Sequence, residues 1–267
     1  MSRYTAIWCW RARLPLLHVQ ADEIRARIQA GVVWMAMAIM VKSRLWLGGV
    51  VSAHRDKALI RQLADMVRTC ALPGPLLLAV DGLAAYVNAF RRAFRSKEPR
   101  PGKGRKRLVP WPDVVIGQVV KYYKRRRVVR VVRRLVQGTE EALSQLLQAS
   151  EGGQTLNTAY IERLNATFRS RLASLVRRTR YGVRRQHMLH LGMYLVGTVY
   201  NFCTPHDTLT QAQGQPCTPA MAAGLTDHVW SVSELLSFRV PPPRWQPPRK
   251  RGRRSKEMQR LIEQWAT

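Results

Sequence analysis

The sequence predicts an α/β protein in which a mixed sheet is flanked by helices. Three observations carry this. Apolar β-prone runs crowd residues 16–53, a continuous apolar run ends in Asp-Gly at 75–82, and several later segments repeat apolar residues at helical spacing.

LLHVQADEI (16–24), GVVWMAMAIMV (31–41) and SRLWLGGVVSA (43–53) read as three sequential strands, expected to pair antiparallel because short turn-like segments separate them. The second run is about half the length a membrane span needs, and Lys42 and Arg44 close it, so it reads as a buried strand. DKALIRQLADMVRTCA (56–71) places Ala58, Leu59, Leu63, Met66 and Val67 on one helical face, starts at an Asp suited to a cap and stops before Pro73. PLLLAVDG then has the form of a central strand, and AAYVNAFRRAF that of the helix after it.

RSKEPRPGKGRKR (95–107) has no apolar periodicity and reads as a solvated basic loop suited to phosphate contact. VVIGQVVKYYKRRRVVRVVRRLV (114–136) reads as a hairpin or strand pair with one very basic face. TEEALSQLLQA is a short helix. A longer one spans TAYIERLNATFRSRLASLVRRT (158–179), marked by Ile161, Leu164, Phe168, Leu172 and Leu175 and capped by Asn157 or Thr158. RRQHMLHLGMYLVGTVYNFC (184–203) is a more apolar helix, and RVPPPRWQPPRKRGRRSK (239–256) has the composition of an extended basic tail.

The 267 residues carry 45 Lys plus Arg against 16 Asp plus Glu, a formal charge of +29. Such an excess destabilises a compact chain unless a polyanion takes it up, which points to nucleic acid rather than a membrane surface. An apolar fraction of 46% excludes wholesale disorder. The N-terminus lacks the apolar stretch and cleavage site of a secretory signal. Cys9, Cys70, Cys203 and Cys217 are scattered without a CxxC pair, so reduced thiols are expected rather than disulfides or zinc. His54, His187, His190 and His206 form no metal-ligand pattern with them. Trp111 and Trp245 lie beside prolines, where an aromatic ring either packs on its own chain or stacks on a base.

Few acids are available for chemistry. A pair of hard divalent cations about 4 Å apart needs clustered carboxylates. Asp22 lies in the first strand, Asp81 ends the apolar strand and Glu162 stands on a helix among arginines. Each has a bland reading, because Asp before Gly commonly forms a turn and Glu beside Arg commonly forms a surface ion pair.

In that order, HVQADEI, VDGLAAY and NTAYIERLNATFR resemble the three acidic motifs of DDE-type insertion-sequence transposases, whose catalytic core resembles retroviral integrase and ribonuclease H. In that family an Asp-Glu pair opens the core strand, Asp-Gly-x-x-x-Tyr follows the fourth, and a helix bears Glu trailed by Arg and Asn. The matching positions are Asp22, Asp81 and Glu162, with Arg163 and Asn165 trailing. Glu23 is an alternative to Asp22, since strand alternation lets only one of them face the site. YNFCTPHDTL resembles the Tyr-Asn-x-x-Arg-Pro-His segment after the catalytic helix, and CTPAMAAGL its continuation. The resemblance covers roughly residues 16 to 230.

The resemblance implies a ribonuclease H-like core at 16–205 with a mixed five-stranded sheet, preceded by a 1–15 extension. A segment at 206–238 and a Pro-rich basic tail at 239–267 follow. It implies DNA cleavage and strand transfer with two Mg²⁺ or Mn²⁺ ions held by Asp22, Asp81 and Glu162. In that scheme a water attacks the element's end, and the freed 3′-OH attacks target DNA. Arg163, Asn165, Arg169, Arg171, Arg177 and Arg178 on or after the helix, and Lys103, Arg105, Lys106 and Arg107 in the loop, are the expected DNA contacts. The implied partners are the element ends, target DNA and further copies of the chain, in the nucleoid of a prokaryotic cytoplasm.

Two departures stand out. Thr204 occupies the place of the family's usual Arg, and only some twenty residues precede Asp22, too few for a separate DNA-binding domain. The expectation is a truncated copy, or end binding by the basic loop, hairpin and tail. The rival readings are a nucleic-acid-binding remnant without catalysis and a ribonuclease H-like nuclease without strand transfer.

Overall fold

The three early apolar runs form β1 (Leu17–Ile28), β2 (Gly31–Met40) and β3 (Trp46–Ser52), each paired antiparallel with the next. The computed structural model describes residues 13–29, 31–98, 107–125, 127–176, 182–238 and 252–265.

Asp56 caps the next helix, α1 (Lys57–Cys70), by accepting from Leu59 N at 2.9 Å, which satisfies one of the four orphan donors of its first turn. β4 (Leu76–Asp81) follows and lies parallel to β1, with Val80 opposite Ala21. After α2 (Ala84–Ala93), β5 (Arg95–Lys97) and β6 (Leu108–Pro110) make a separate antiparallel ribbon. The segment read as an unstructured loop therefore begins in a strand. Lys103, Arg105 and Lys106 fall outside the described residues; Arg107 is exposed, and its carbonyl accepts from Glu98 N.

β7 (Val114–Lys124) joins β4 in parallel, and β8 (Arg127–Gln137) folds back antiparallel on β7. The main sheet thus has six strands, in the order β3-β2-β1-β4-β7-β8, one more than the five expected. The extra strand arises because both arms of the basic hairpin enter one sheet. β8 is an edge strand with little cover on either face, leaving Val128, Val129 and Val131 exposed beside Arg127, Arg130, Arg133 and Arg134.

Helices cover both sides of the sheet. On one side α1 and α2 pack together, with α1 against β2 and β3 and α2 against β4. On the other lie α3 (Glu140–Ala149), capped by Thr139, then α4 (Ala159–Arg171) and α5 (Gln186–Phe202). Under α4 and α5 the core is Ile24, Ala26, Met35, Met37 and Trp46 against Ile161, Leu164, Phe168, Leu189 and Met193. Under α3 it is Leu77, Ala79, Val115 and Val119 against Leu143, Leu146 and Leu147. Gly197 lets α5 lie directly on Trp46, since a Cβ there would stand 2.1 Å from the indole ring.

α4 is shorter than the helix read over 158–179. Leu172 adopts extended backbone (φ −96°, ψ 103°), and a 3₁₀ turn, Ala173–Leu175, carries the chain back over β1. Leu172 stays buried in the core below, at the position a continued helix would also give it, so the break changes the path of the chain and not the face that is buried. Arg177 and Arg178 fall outside the described residues. Short helices α6 (Asp207–Gln213), α7 (Pro219–Ala222) and α8 (Val232–Ser237) follow.

The chain divides into two compact units, Met1–Leu236 and Ser237–Thr267. In the second, α9 (Lys256–Trp265) lies within the stretch read as tail; residues 239–251, with Trp245, are outside the described set. Among the described residues no helix is long and apolar enough to cross a membrane.

Candidate active site

Parallel pairing sets the site. Because the β1–β4 pairing ends at Ala21 opposite Val80, the next residues, Asp22 within β1 and Asp81 at the end of β4, stand side by side where the two strands part. Alternation then assigns faces. Asp22 shares the face of Gln20 and Ile24, under α4, whereas Glu23 points to the side of α2. The faces differ as alternation requires, yet at the edge the groups converge. One carboxylate oxygen from each of Asp22, Glu23 and Asp81 lies within 4.8 Å of the others.

Their surroundings separate them. Glu23 is almost wholly enclosed, with its side chain 2% exposed. It accepts from the Tyr86 hydroxyl at 2.6 Å and from Arg55 Nε at 2.6 Å, and is ion-paired with the same guanidinium. Tyr86 ends the Asp-Gly-x-x-x-Tyr motif, so two of the acidic motifs are joined by a hydrogen bond. Arg55 also reaches Asp81 Oδ2 at 3.6 Å and lies over the Trp34 ring. Asp81 Oδ1 accepts from Leu83 N at 2.9 Å, so this residue forms its turn while leaving Oδ2 toward the cleft.

Asp22 has no cation of its own among the described residues. Its Oδ2 accepts from Asn165 Nδ2 at 2.8 Å. Burial, then the neighbouring negative charge of Glu23 with smaller effects from Asp81 and Glu162, pushes its carboxyl up to about 7. Burial also raises Asp81, with Glu23 adding to this and the Leu83 N–H and Arg55 opposing it. A crowded, desolvated carboxylate pair is the environment in which a bound cation gains most.

Glu162 comes from the first turn of α4, which β1 itself fixes. Gln20 Oε1 accepts from Tyr160 N and Ile161 N, at 3.0 and 3.1 Å, so a strand side chain caps the helix in place of Asn157 or Thr158. Its amide donates to the Asn157 carbonyl. Asn157 Oδ1 accepts from Ala159 N at 3.1 Å and from the Gln20 amide at 3.3 Å, and Thr158 instead donates to Glu162 Oε1 at 2.5 Å. The Lys121 ammonium of β7 also bonds to Glu162 Oε1. Asp22, Asp81 and Glu162, with Arg55, Lys121 and Thr158, line one open cleft of about 530 Å³. The carboxylates of Asp22, Asp81 and Glu162 offer hard oxygen donors, which suits Mg²⁺ or Mn²⁺.

The remaining candidates are placed as follows. Asn165 is 4% exposed and stands behind Asp22, not on the surface. Arg163, Arg169 and Arg171 are exposed on α4. Arg171 Nη1 donates to Thr204 Oγ1 at 3.1 Å, so a guanidinium does stand beside Thr204. Tyr200 and Asn201 of the Tyr-Asn segment fasten α5 to the β2–β3 turn: the Tyr200 hydroxyl donates to the Arg44 carbonyl, and the Asn201 amide brackets the Trp46 backbone. Trp111 is buried against Phe94 and under Arg68, so it packs on its own chain.

Sequence reasoning missed Gln20, Arg55 and Lys121, and took Thr158 for a helix cap and not for a partner of Glu162. For Gln20 a signal existed: it is buried-face polar, two residues before Asp22 and so on the same side of β1. Arg55 and Lys121 carried none, because a single basic residue in so basic a chain does not stand out.

No family model matches the sequence, and neither does any curated protein. Among solved structures, the chain is similar to a piggyBac transposase in a synaptic complex with hairpin DNA. Identity is 11% and the TM-score 0.37, over 79% of this chain and 52% of the other, so the chain spans about half that protein's length.

Proposed function

We propose that this protein is a DNA transposase of the DDE type, cutting and joining DNA strands with divalent metal at Asp22, Asp81 and Glu162. The observation that carries the reading is the convergence of carboxylates from β1, β4 and α4 on one cleft in a chain of charge +29.

Bound at these oxygens, Mg²⁺ or Mn²⁺ supplies Lewis-acid polarisation of the phosphodiester and activates the attacking hydroxyl or water. The protein does the rest. Asn165 holds the Asp22 carboxylate in one orientation, and Gln20 sets the position of the α4 turn that bears Glu162. Arg55 balances the Glu23 charge, leaving Asp22 and Asp81 as the available ligands. Lys121 and Arg55 keep positive charge at the cleft for the incoming phosphate. The exposed arginines of α4 and β8 supply strand affinity through phosphate neutralisation.

One contact favours a second reading, a nucleic-acid-binding remnant without catalysis: Lys121 already occupies Glu162. The two separate on a supercoiled plasmid in Mg²⁺ or Mn²⁺. Nicking and joining by the wild type that Glu162→Gln abolishes supports the transposase. Salt-sensitive binding by both proteins, with no nicking by either, supports the remnant.

A further inference from the structure

A second cleft, of about 380 Å³, lies on the other flank of α4. At 100° per residue, Thr158 and Glu162 face the carboxylate cleft, while Tyr160, Arg163, Thr167 and Arg171 face the opposite way. A helix diameter, about 10 Å, therefore separates the two clefts.

Three guanidiniums meet there. Arg44 is 8% exposed and lies 4.0 Å over the Tyr160 ring, with one nitrogen on the Val41 carbonyl. It sits in the β2–β3 turn at φ 60°, a left-handed conformation that a long side chain rarely adopts. Arg171 is held by Thr204 and stands 6.0 Å from the Tyr200 ring. Arg163 completes the group from α4. All three act on the Tyr200 hydroxyl: burial pushes it up to about 12, against the opposing pull of Arg44, Arg171 and Arg163.

Among the described residues none of the three has an ion-pair partner. Asp207 lines the cleft without pairing with them. Burial, with Arg44 and Arg163, lowers the His206 imidazole below its ordinary pKa against the opposing pull of Asp207, and its buried Nδ1 has no hydrogen-bond partner among the described residues. Converging, unpaired, partly desolvated guanidiniums beside an open hydrogen-bonding nitrogen form a receptor for a compact oxyanion. A dianion satisfies three positive charges better than the single charge of a phosphodiester.

We propose that this cleft binds a phosphomonoester, from either a free nucleotide or the phosphorylated end of a nucleic-acid strand. The proposal does not depend on the carboxylate cleft being catalytic.

The test measures binding of the full chain to an oligonucleotide with a 5′-phosphate, its 5′-hydroxyl counterpart, a nucleoside monophosphate and its nucleoside. Fluorescence anisotropy serves for the strands and calorimetry for the small molecules. The phosphorylated member of at least one pair is expected to bind about tenfold more tightly, with inorganic phosphate competing. Preference within the oligonucleotide pair assigns the strand end, and preference within the small-molecule pair alone assigns a free nucleotide. Arg163→Gln with Arg171→Gln, both exposed positions, should erase the preference at an unchanged melting temperature. Arg130→Gln with Arg134→Gln, an equal loss of charge on β8, should weaken both strands alike and preserve it. No preference in either pair, a preference that survives the α4 substitutions, or one equally lost with the β8 pair overturns the proposal.

Discussion

The Tyr86 hydroxyl donates to Glu23 Oε2 at 2.6 Å, so the tyrosine that closes one acidic motif holds the second acid of another. Both groups are enclosed, and Arg55 supplies the only other bonds to that carboxylate among the described residues. A hydrogen bond to a buried charge is worth about 1.5–3 kcal/mol. Tyr86→Phe is expected to lose that much in urea unfolding. It should leave divalent-ion binding within about threefold of wild type, because Glu23 is committed to Arg55.

Gln20 closes the N-terminus of α4 from β1. Gln20→Leu leaves two helix donors and the Asn157 carbonyl without that partner, at about 1–3 kcal/mol. Since the same turn carries Glu162, plasmid nicking should fall further than the stability loss accounts for. Gln20→Glu, which keeps the acceptor, should restore the unfolding free energy in part while leaving nicking low through added negative charge.

Asp22 gives a pH signature. Its carboxyl stands at about 7 in the fold against an ordinary 3.8, so the fold holds the protonated form. The stability it contributes is complete below about 3.8 and is lost as pH rises through about 7. Without divalent ions the melting temperature should therefore fall across that window, and Asp22→Asn should flatten the fall. Mg²⁺ competes with the proton, so its stabilising effect should be larger at about pH 8 than at about pH 5.

Lys121 and any metal at Glu162 compete for the same oxygen. Lys121→Met is expected to tighten Mn²⁺ binding about tenfold by calorimetry, since one charge about 4 Å away is worth about 1–4 kcal/mol near a protein surface. Equal Mn²⁺ affinity in the two proteins would remove Glu162 from the ligand set.

Gly197→Ala probes the support beneath the site. Its methyl group enters the Trp46 ring, which is fully buried and contacts Phe168 of α4 and Tyr194. Overpacking of this kind costs about 1–3 kcal/mol or more, read as a drop in melting temperature.

The periods of the apolar pattern carried the strands and helices well, because β1–β4 and α1–α5 each bury one face or both. They failed where tertiary contacts decided the backbone. The helix read over 158–179 ends at Arg171, where Leu172 takes extended backbone, and the expected strand pair at 114–136 also adds a sixth strand to the main sheet. The acidic residues were legible as motifs, but their division of labour was not. Nothing in HVQADEI says that Glu23 belongs to Arg55 and Tyr86, since both partners lie more than thirty positions away. The cap on α4 was sought next to the helix and came instead from 140 positions upstream.

β8 ends the sheet, so among the described residues no strand pairs with its outer edge, and three of its valines are uncovered. A β-branched edge of that kind is a template for adding identical strands from other copies of the chain. Arg127, Arg130, Arg133 and Arg134 oppose that growth, because each added strand would stack like charges at the 4.7–4.9 Å strand spacing. The basic character of the edge thus also opposes edge-to-edge pairing between copies. A polyanion that neutralises it removes that protection unless it covers the edge as well.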